Sequence, residues 1–377
     1  MNRNDGCMRG GNRFKLGLFA SNCSNGLTMT LVPEAWDASW ENNVEMAQFA
    51  EGMGLEFILP VARWHGYGGK TDTEGTSFET LTWASGLLAS TQNIMVFGTV
   101  HVPLVNPVWA AKQIVTADHI GRGRFGLNIV SGYNESEFRM FGVEMREHDE
   151  RYVFTEEWLT IVKRIWSEDQ AFEHKGKYFH LREVRSRPKP YAGQRPMIMS
   201  AGSSPAGRAF ARRHADCLFM SINRLETLAA EIALLREGLA SHVGVYASGP
   251  IFCRPTQKEA EEYYHYVVYE NGDWEAVENV LRIRSNQKSL SVEDMKRQRE
   301  RLINVATYPI IGNPDTVAQI FKNMSEAGMD GMAVGLVNFI NDLPLIGNEV
   351  LPRMAWLGIR GSNTEKVHAD SNRGQRP

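Results

Sequence analysis

Cysteine is scarce in this chain and nowhere clustered. Cys7, Cys23, Cys217 and Cys253 are the only four in 377 residues, and no two form a Cys-x-x-Cys. That spacing argues against a metal site and a disulfide framework, and it fits a reducing cytoplasm. Excess charge of one sign is also missing: a formal net charge of -3 offers no attraction to nucleic acid or an anionic membrane. No apolar run approaches the roughly 18 residues of a membrane helix. The short run Leu16–Ala20, behind Arg9, Arg13 and Lys15, falls below the about 7–15 residues of a secretory signal.

Two nucleotide motifs are lacking as well. No Gly-x-Gly-x-x-Gly follows the first expected strand, so a Rossmann site is unsupported. Gly68-Gly69-Lys70-Thr71 looks like the end of a phosphate-binding P-loop. Trp64 stands where the motif's first glycine belongs, and Thr71–Gly75 does not read as a helix.

What is present is an ordinary globular composition, 43% hydrophobic and 23% charged, long enough for a large core. Strand patterns fall at Phe14–Ala20, Phe57–Ala62, Ile94–His101, Phe125–Val130, Met197–Ala201, Asp216–Ser221, about Val245–Cys253 and Met332–Leu336. Each is followed by a helical pattern, such as the one that Pro107 opens and that runs to Ile120. Eight strand–helix units predict an α/β fold, a (β/α)8 TIM barrel, in one domain over residues 14–357. Insertions are expected at about 133–152, 171–181 (a short hairpin) and 269–308 (a charged segment). Residues 1–13 and 358–377 read as flexible ends.

The stretch Arg124–Tyr152 organises the rest. A buried-strand pattern from Phe125 to Val130 is interrupted by the amide of Asn128. A buried amide left without a partner costs about 1–3 kcal/mol, so Asn128 either holds the fold together or faces a polar ligand. Ser131-Gly132 ends the strand, a polar loop follows, and Arg151-Tyr152 open a helix. His148-Asp149, without a nucleophile nearby, reads as a surface turn. Downstream, Ser204 and Pro205 suit the N-cap and first position of another helix, behind Ser200-Ala201-Gly202-Ser203. That turn is either an ordinary capped helix or an anion site. Arg151, on the adjacent unit, would converge with it on one phosphate. Trp64, Tyr67, His101, Tyr133 and Phe138 sit at expected C-terminal strand ends, where each is packing or part of a mouth suited to a flat ring.

The chain resembles the bacterial-luciferase-like flavin monooxygenases over about Phe14–Trp356. The resemblance is carried by Ala110-Ala111-Lys112-Gln113 with Thr116, Asp118 and Gly123-Arg124, by Asn128-Ile129-Val130-Ser131-Gly132, by Glu147–Tyr152, by Gly176-Lys177-Tyr178-Phe179 and by Pro188-Lys189-Pro190. Within the family it is similar to the branch of pyrimidine, dimethyl sulfone and alkanesulfonate monooxygenases. Gly66–Thr71 is similar to the pyrimidine enzyme, and Glu147–Tyr152 to the sulfone enzyme.

The resemblance implies a barrel that takes reduced FMN from a separate NAD(P)H:flavin reductase. With O2 it would oxidise a small, largely neutral N-heterocyclic or organosulfur substrate through a flavin peroxide. Asn128, His101 and Trp64 are the candidates for the reacting centre. Val61, Ala62, Asn128, Glu137, Arg151, Tyr152, Ser203 and Ser204 are the candidates for holding the cofactor. The segment 269–308 is either a mobile lid or a solvated helical insert. Arg63, Lys70 and Arg139 are the cations left for an anionic substrate, on loops that suggest solvent as strongly as a pocket. Sulfonates therefore rank below neutral heterocycles and sulfones. A deazaflavin (F420)-dependent oxidoreductase on the same barrel and a non-catalytic flavin-binding protein are the alternatives. A homodimer or homotetramer is the expected assembly.

Overall fold

The computed structural model describes residues 7–132, 134–202, 204–285, 298–299 and 301–361, with backbone only at 284 and 285. The chain runs through β1 (Lys15–Phe19), β2 (Phe57–Leu59), β3 (Met95–His101) and β4 (Phe125–Val130). An antiparallel hairpin follows, β5 (Phe172–Lys175) and β6 (His180–Val184). Then come β7 (Met197–Ala201), β8 (Cys217–Met220), β9 (Gly244–Cys253), the short β10 (Ile310–Gly312) and β11 (Gly331–Gly335). Strands β1, β2, β3, β4, β7, β8, β9 and β11 pair in parallel in that order, and β11 returns to β1. This is the expected closed barrel, with β10 added outside β9.

β2 is shorter than expected because Pro60 has no N–H for a ladder. The chain beyond it is held by a side chain instead. Asn22 Nδ2 donates to the Val61 carbonyl (2.8 Å), and the Val61 N–H donates back to Asn22 Oδ1 (2.9 Å).

The barrel interior is filled by Phe57, Leu59, Met95, Phe97, Met197, Met199 and Tyr246. Glycine makes this filling possible: a Cβ on Gly126 would stand 2.4 Å from the Phe97 ring, and one on Gly17 2.5 Å from Phe57. A larger cluster, including Trp83, Trp158, Phe210 and Phe321, packs the helices onto the outside. Arg124 is buried there. Its guanidinium donates to the carbonyls of Leu88 and Thr91, which the end of helix Thr80–Ser90 leaves unsatisfied, and to that of Ile94 just before β3.

The described parts of both expected flexible ends, residues 7–13 and 358–361, make packed contacts. Met8 is buried in the interior cluster, and Asn12 donates to Glu56. At the other end Ile359 and Arg360 are buried, and Arg360 pairs with Glu56 at 3.0 Å, each side chain 3% exposed. Residues 1–6 and 362–377 lie outside the described part. A buried carboxylate at Glu56 demands a counter-charge, and both ends of the chain supply its partners.

The insertion at 269–308 is not merely solvated. Helix Trp274–Ser285 covers an apolar cluster that includes Met29, Tyr67, Phe252, Val277, Leu302 and Ile303. It is tied to the loop after β2: Asp273 accepts the Thr71 N–H (2.6 Å) and Asn279 donates to the Tyr67 carbonyl (3.0 Å). Residues 286–297 lie outside the described part. Within 133–152, a short helix, Glu135–Met140, replaces the expected loop. The helix expected from Arg151 begins earlier, at His148.

Candidate active site

The C-terminal ends of the barrel strands open onto a cavity of about 510 Å³. Asn128 is on its wall because β4 lies in register with β3. That register sets Asn128 beside Thr99. Asn128 Nδ2 donates to Thr99 Oγ1 (3.1 Å), and Thr99 Oγ1 donates to the Pro60 carbonyl (2.6 Å). The amide is thereby oriented, and its Oδ1 is left buried with no partner among the described residues. The bracing reading of Asn128 applies at one end of the amide, and the other end leaves an acceptor open for a ligand.

His101, at the end of β3, lines the same wall with Nδ1 likewise unpartnered. Burial, with a smaller contribution from nearby Arg63, pushes its pKa down to about 3. The imidazole is neutral at neutral pH. Val61 and Ala62 also line the cavity, with Phe19 from β1 and Phe219 from β8.

Arg151 and Tyr152 lie in the first turns of helix His148–Ser167 and face this cavity. Arg151 Nη1 donates to the Gly132 carbonyl, and its Nε is buried with no partner among the described residues. Across from them, Ser204 caps helix Pro205–His214, its Oγ accepting the Gly207 N–H at 3.1 Å. The Tyr152 hydroxyl reaches this helix start. A Cβ on Gly207 would come within 2.6 Å of Tyr152 Oη and 2.7 Å of Gly202 Cα. A guanidinium with a spare donor, a phenol and a helix N-terminus thus meet at one place, a donor set suited to a phosphate. Ser203 lies outside the described residues, as does Tyr133.

Other expected site residues lie elsewhere. Trp64 is on the wall of an adjoining cavity of about 610 Å³, its ring edge-on to Phe141 at 4.7 Å. Ala62, Arg63, Thr99 and His101 line both cavities. Glu137 is not on the wall of the first cavity: it is buried, accepting the Trp64 N–H (2.9 Å) and pairing with Arg63 (3.4 Å). Tyr67 and Phe138 are buried packing residues, as is Val102. His148 stands at the rim, bonded to exposed Asp149 (2.7 Å) and edge-on to Tyr152. Lys70 is exposed, and Arg139 reaches Glu135 on the surface.

Arg63 corrects the solvent expectation. It is buried, with Nε 2.6 Å from Glu74 Oε2 and Nη2 donating to Tyr67 Oη at 2.7 Å. Sequence reasoning missed Glu74, Asn22, Thr99, Phe19 and Phe219. Thr99 had a signal, a hydroxyl in an apolar strand opposite Asn128. Glu74 had none, since Thr71–Gly75 reads as an ordinary turn.

A closed parallel barrel with an amide, a neutral imidazole and a guanidinium around a cavity at its C-terminal mouth is the frame of a barrel enzyme's ligand site. Residues 14–331 match the luciferase-like monooxygenase family, and the chain belongs to that family. Among its relatives is an FMNH2-dependent dimethylsulfone monooxygenase of Pseudomonas putida, 30% identical over 353 residues, covering 90% of this chain and 94% of that one. A pyrimidine monooxygenase of Variovorax paradoxus is 27% identical over 352 residues, covering 90% and 94%. Among solved structures, a riboflavin lyase with modified FMN and riboflavin superposes at a TM-score of 0.80 with 22% identity over 93% of both chains, a likeness of fold. Among the described residues no helix is long and apolar enough to cross a membrane.

Proposed function

We propose that this protein is the oxygenase of a two-component system. It takes reduced FMN from a separate NAD(P)H:flavin reductase and uses O2 to oxidise a small, largely neutral N-heterocyclic or organosulfur substrate. One observation carries the reading: Arg151 and Tyr152, the donors proposed for a phosphate, line one cavity with Asn128 and its orphaned amide oxygen. FMN presents both a phosphate and ring N–H groups. When bound, the reduced cofactor supplies the activation of O2 and the transfer of one oxygen atom.

The chain's own part is binding, orientation and exclusion of water. Arg151, Tyr152 and the amides of the Ser204-capped helix would hold the phosphate. Asn128 Oδ1 would accept from the ring edge, at an angle set by the bond to Thr99. Phe19, Leu59, Val61, Val130 and Phe219 give the cavity apolar walls, which keep water from the reacting atoms. Neutral His101 places an uncharged donor and acceptor among them. A non-catalytic flavin-binding protein would suit a plugged mouth better than a cavity of about 510 Å³. The four cysteines form no disulfide among the described residues, which is in keeping with a cytoplasmic setting.

Steady-state assays with NADH, a generic flavin reductase, FMN and O2 test this reading. Substrate-dependent incorporation of one oxygen atom is the expected result. Reduction of F420 by an alcohol, or oxidation of reduced F420 by an imine, without O2 and with no turnover with FMN, would replace it with the deazaflavin reading.

A further inference from the structure

The cavity wall carries a carboxylate that the cofactor does not need. Glu74 is wholly buried and lines the cavity of about 510 Å³. Its Oε2 takes the Arg63 Nε–H at 2.6 Å, while Oε1 is buried with no partner among the described residues. The guanidinium of Arg63 is divided, since Nη1 leans on Glu137 at 3.4 Å and Nη2 donates to Tyr67. One guanidinium against the two carboxylates of Glu74 and Glu137 gives this group a formal charge of -1. The buried thiol of Cys23 nearby stays neutral, held so by burial and then by Glu74, and His101 is neutral too. Neither supplies a compensating positive charge.

A carboxylate oxygen is an acceptor only, and an ionised one buried without a donor is costly. Water or a ligand must satisfy it, and the cavity is where either arrives. A sulfone or sulfonate offers only acceptor oxygens, which a carboxylate repels. An N–H group offers the missing donor.

We propose that Glu74 is the specificity-determining residue of this site. It selects substrates that carry an N–H donor, neutral as in a cyclic amide or cationic as in a protonated amine, and disfavours acceptor-only sulfones and sulfonates. The proposal rests on the FMN-oxygenase reading of the same cavity, and it narrows the substrate from the two classes named there to one.

The test is equilibrium binding to the full chain, with and without oxidised FMN, so that turnover is not required. The probes are uracil against 1,3-dimethyluracil, benzylammonium against benzyltrimethylammonium, and dimethyl sulfone. At least one N–H probe is expected to bind about 10- to 100-fold tighter than its N-methylated counterpart, the factor that a hydrogen bond to a charged group is worth. The pair that shows it tells whether the donor is neutral or cationic.

Glu74→Gln is the sharper variant. The amide oxygen remains on Arg63 Nε, and an NH2 donor then replaces Oε1 at the cavity. N–H probes should weaken by a similar factor while dimethyl sulfone gains. The N-methyl comparison uses the unmutated protein, so it stands even where Glu74→Gln fails to fold. N–H probes that bind no tighter than N-methyl ones, or not at all, overturn the proposal. So does dimethyl sulfone as the tightest probe, or an unchanged ranking in folded Glu74→Gln. FMN affinity, measured first, separates this failure from that of the oxygenase reading, which falls with loss of FMN binding and of O2-dependent turnover.

Discussion

Replacing Arg151 by alanine tests the proposed phosphate end of the site. In the free protein the guanidinium donates to the Gly132 carbonyl and, weakly at 4.0 Å, to Met145 Sδ, and it leaves Nε without a partner among the described residues. Losing the bond to Gly132 costs folding about 0.5–1.5 kcal/mol. A positive charge in the first helical turn is unfavourable to the dipole, so a few tenths of a kcal/mol return on its removal. The net stability change is about 1 kcal/mol or less, a small shift of Tm. A charged hydrogen bond to the phosphate is worth about 1.5–3 kcal/mol, so the Kd for reduced FMN should rise roughly 10- to 150-fold. Anaerobic fluorescence titration measures it, and riboflavin is the control because it lacks the phosphate. The unmutated protein should prefer FMN over riboflavin, and Arg151→Ala should erase most of that preference. An unchanged FMN affinity would refute the placement. So would equal losses for FMN and riboflavin, since the effect would then be on the ring or the fold.

Three further outcomes are expected. Asn128→Leu should weaken flavin binding about 10-fold or more in the same titration, yet cost only about 1 kcal/mol of stability, because a single bond to Thr99 is lost and an orphaned oxygen goes with it. Deleting residues 362–377 should leave Tm unchanged, whereas a deletion that includes Arg360 strips the buried Glu56 of its counter-charge and should cost about 3 kcal/mol, read by thermal melting. His101 binds a proton in the unfolded chain below its ordinary pKa of 6.5 but not in the folded one until about pH 3. Its contribution is therefore intact above pH 6.5 and is lost at about 1.4 kcal/mol per pH unit as the pH falls toward 3. Relative to the unmutated protein, His101→Gln should lose less Tm between pH 7 and pH 5; parallel losses would contradict the burial argument.

The parts of this protein that were legible in the sequence are those with a local signal. β4 and β7 have the expected bounds, Phe125–Val130 and Met197–Ala201, because β-branched and apolar runs between turn residues admit little else. The helix Pro107–Ile120 was marked by its proline at the first position. Helix Glu135–Met140 escaped notice because six mostly polar residues carry no apolar stripe. Helix His148–Ser167 was expected too late because its first turn, with Asp149 and Glu150, has acidic residues suited to the dipole and no apolar periodicity.

The sequence by itself determined the number of strand–helix units, hence the closed barrel, and it marked residues at the end of β4 and near the start of two helices. Ser204 before Pro205 and Arg151 near a helix start were readable because capping and charge at a helix end are local chemistry. Only the tertiary structure decided which of these residues share a cavity and what each is left to bind. Arg63 meets Glu74 across 11 positions of sequence and Glu137 across 74, so a loop arginine became a buried, divided guanidinium. The orphaned oxygens of Asn128 and Glu74 arise in the same way. Burial and the count of available donors belong to the surroundings of a group, and those surroundings exist only once the barrel has closed.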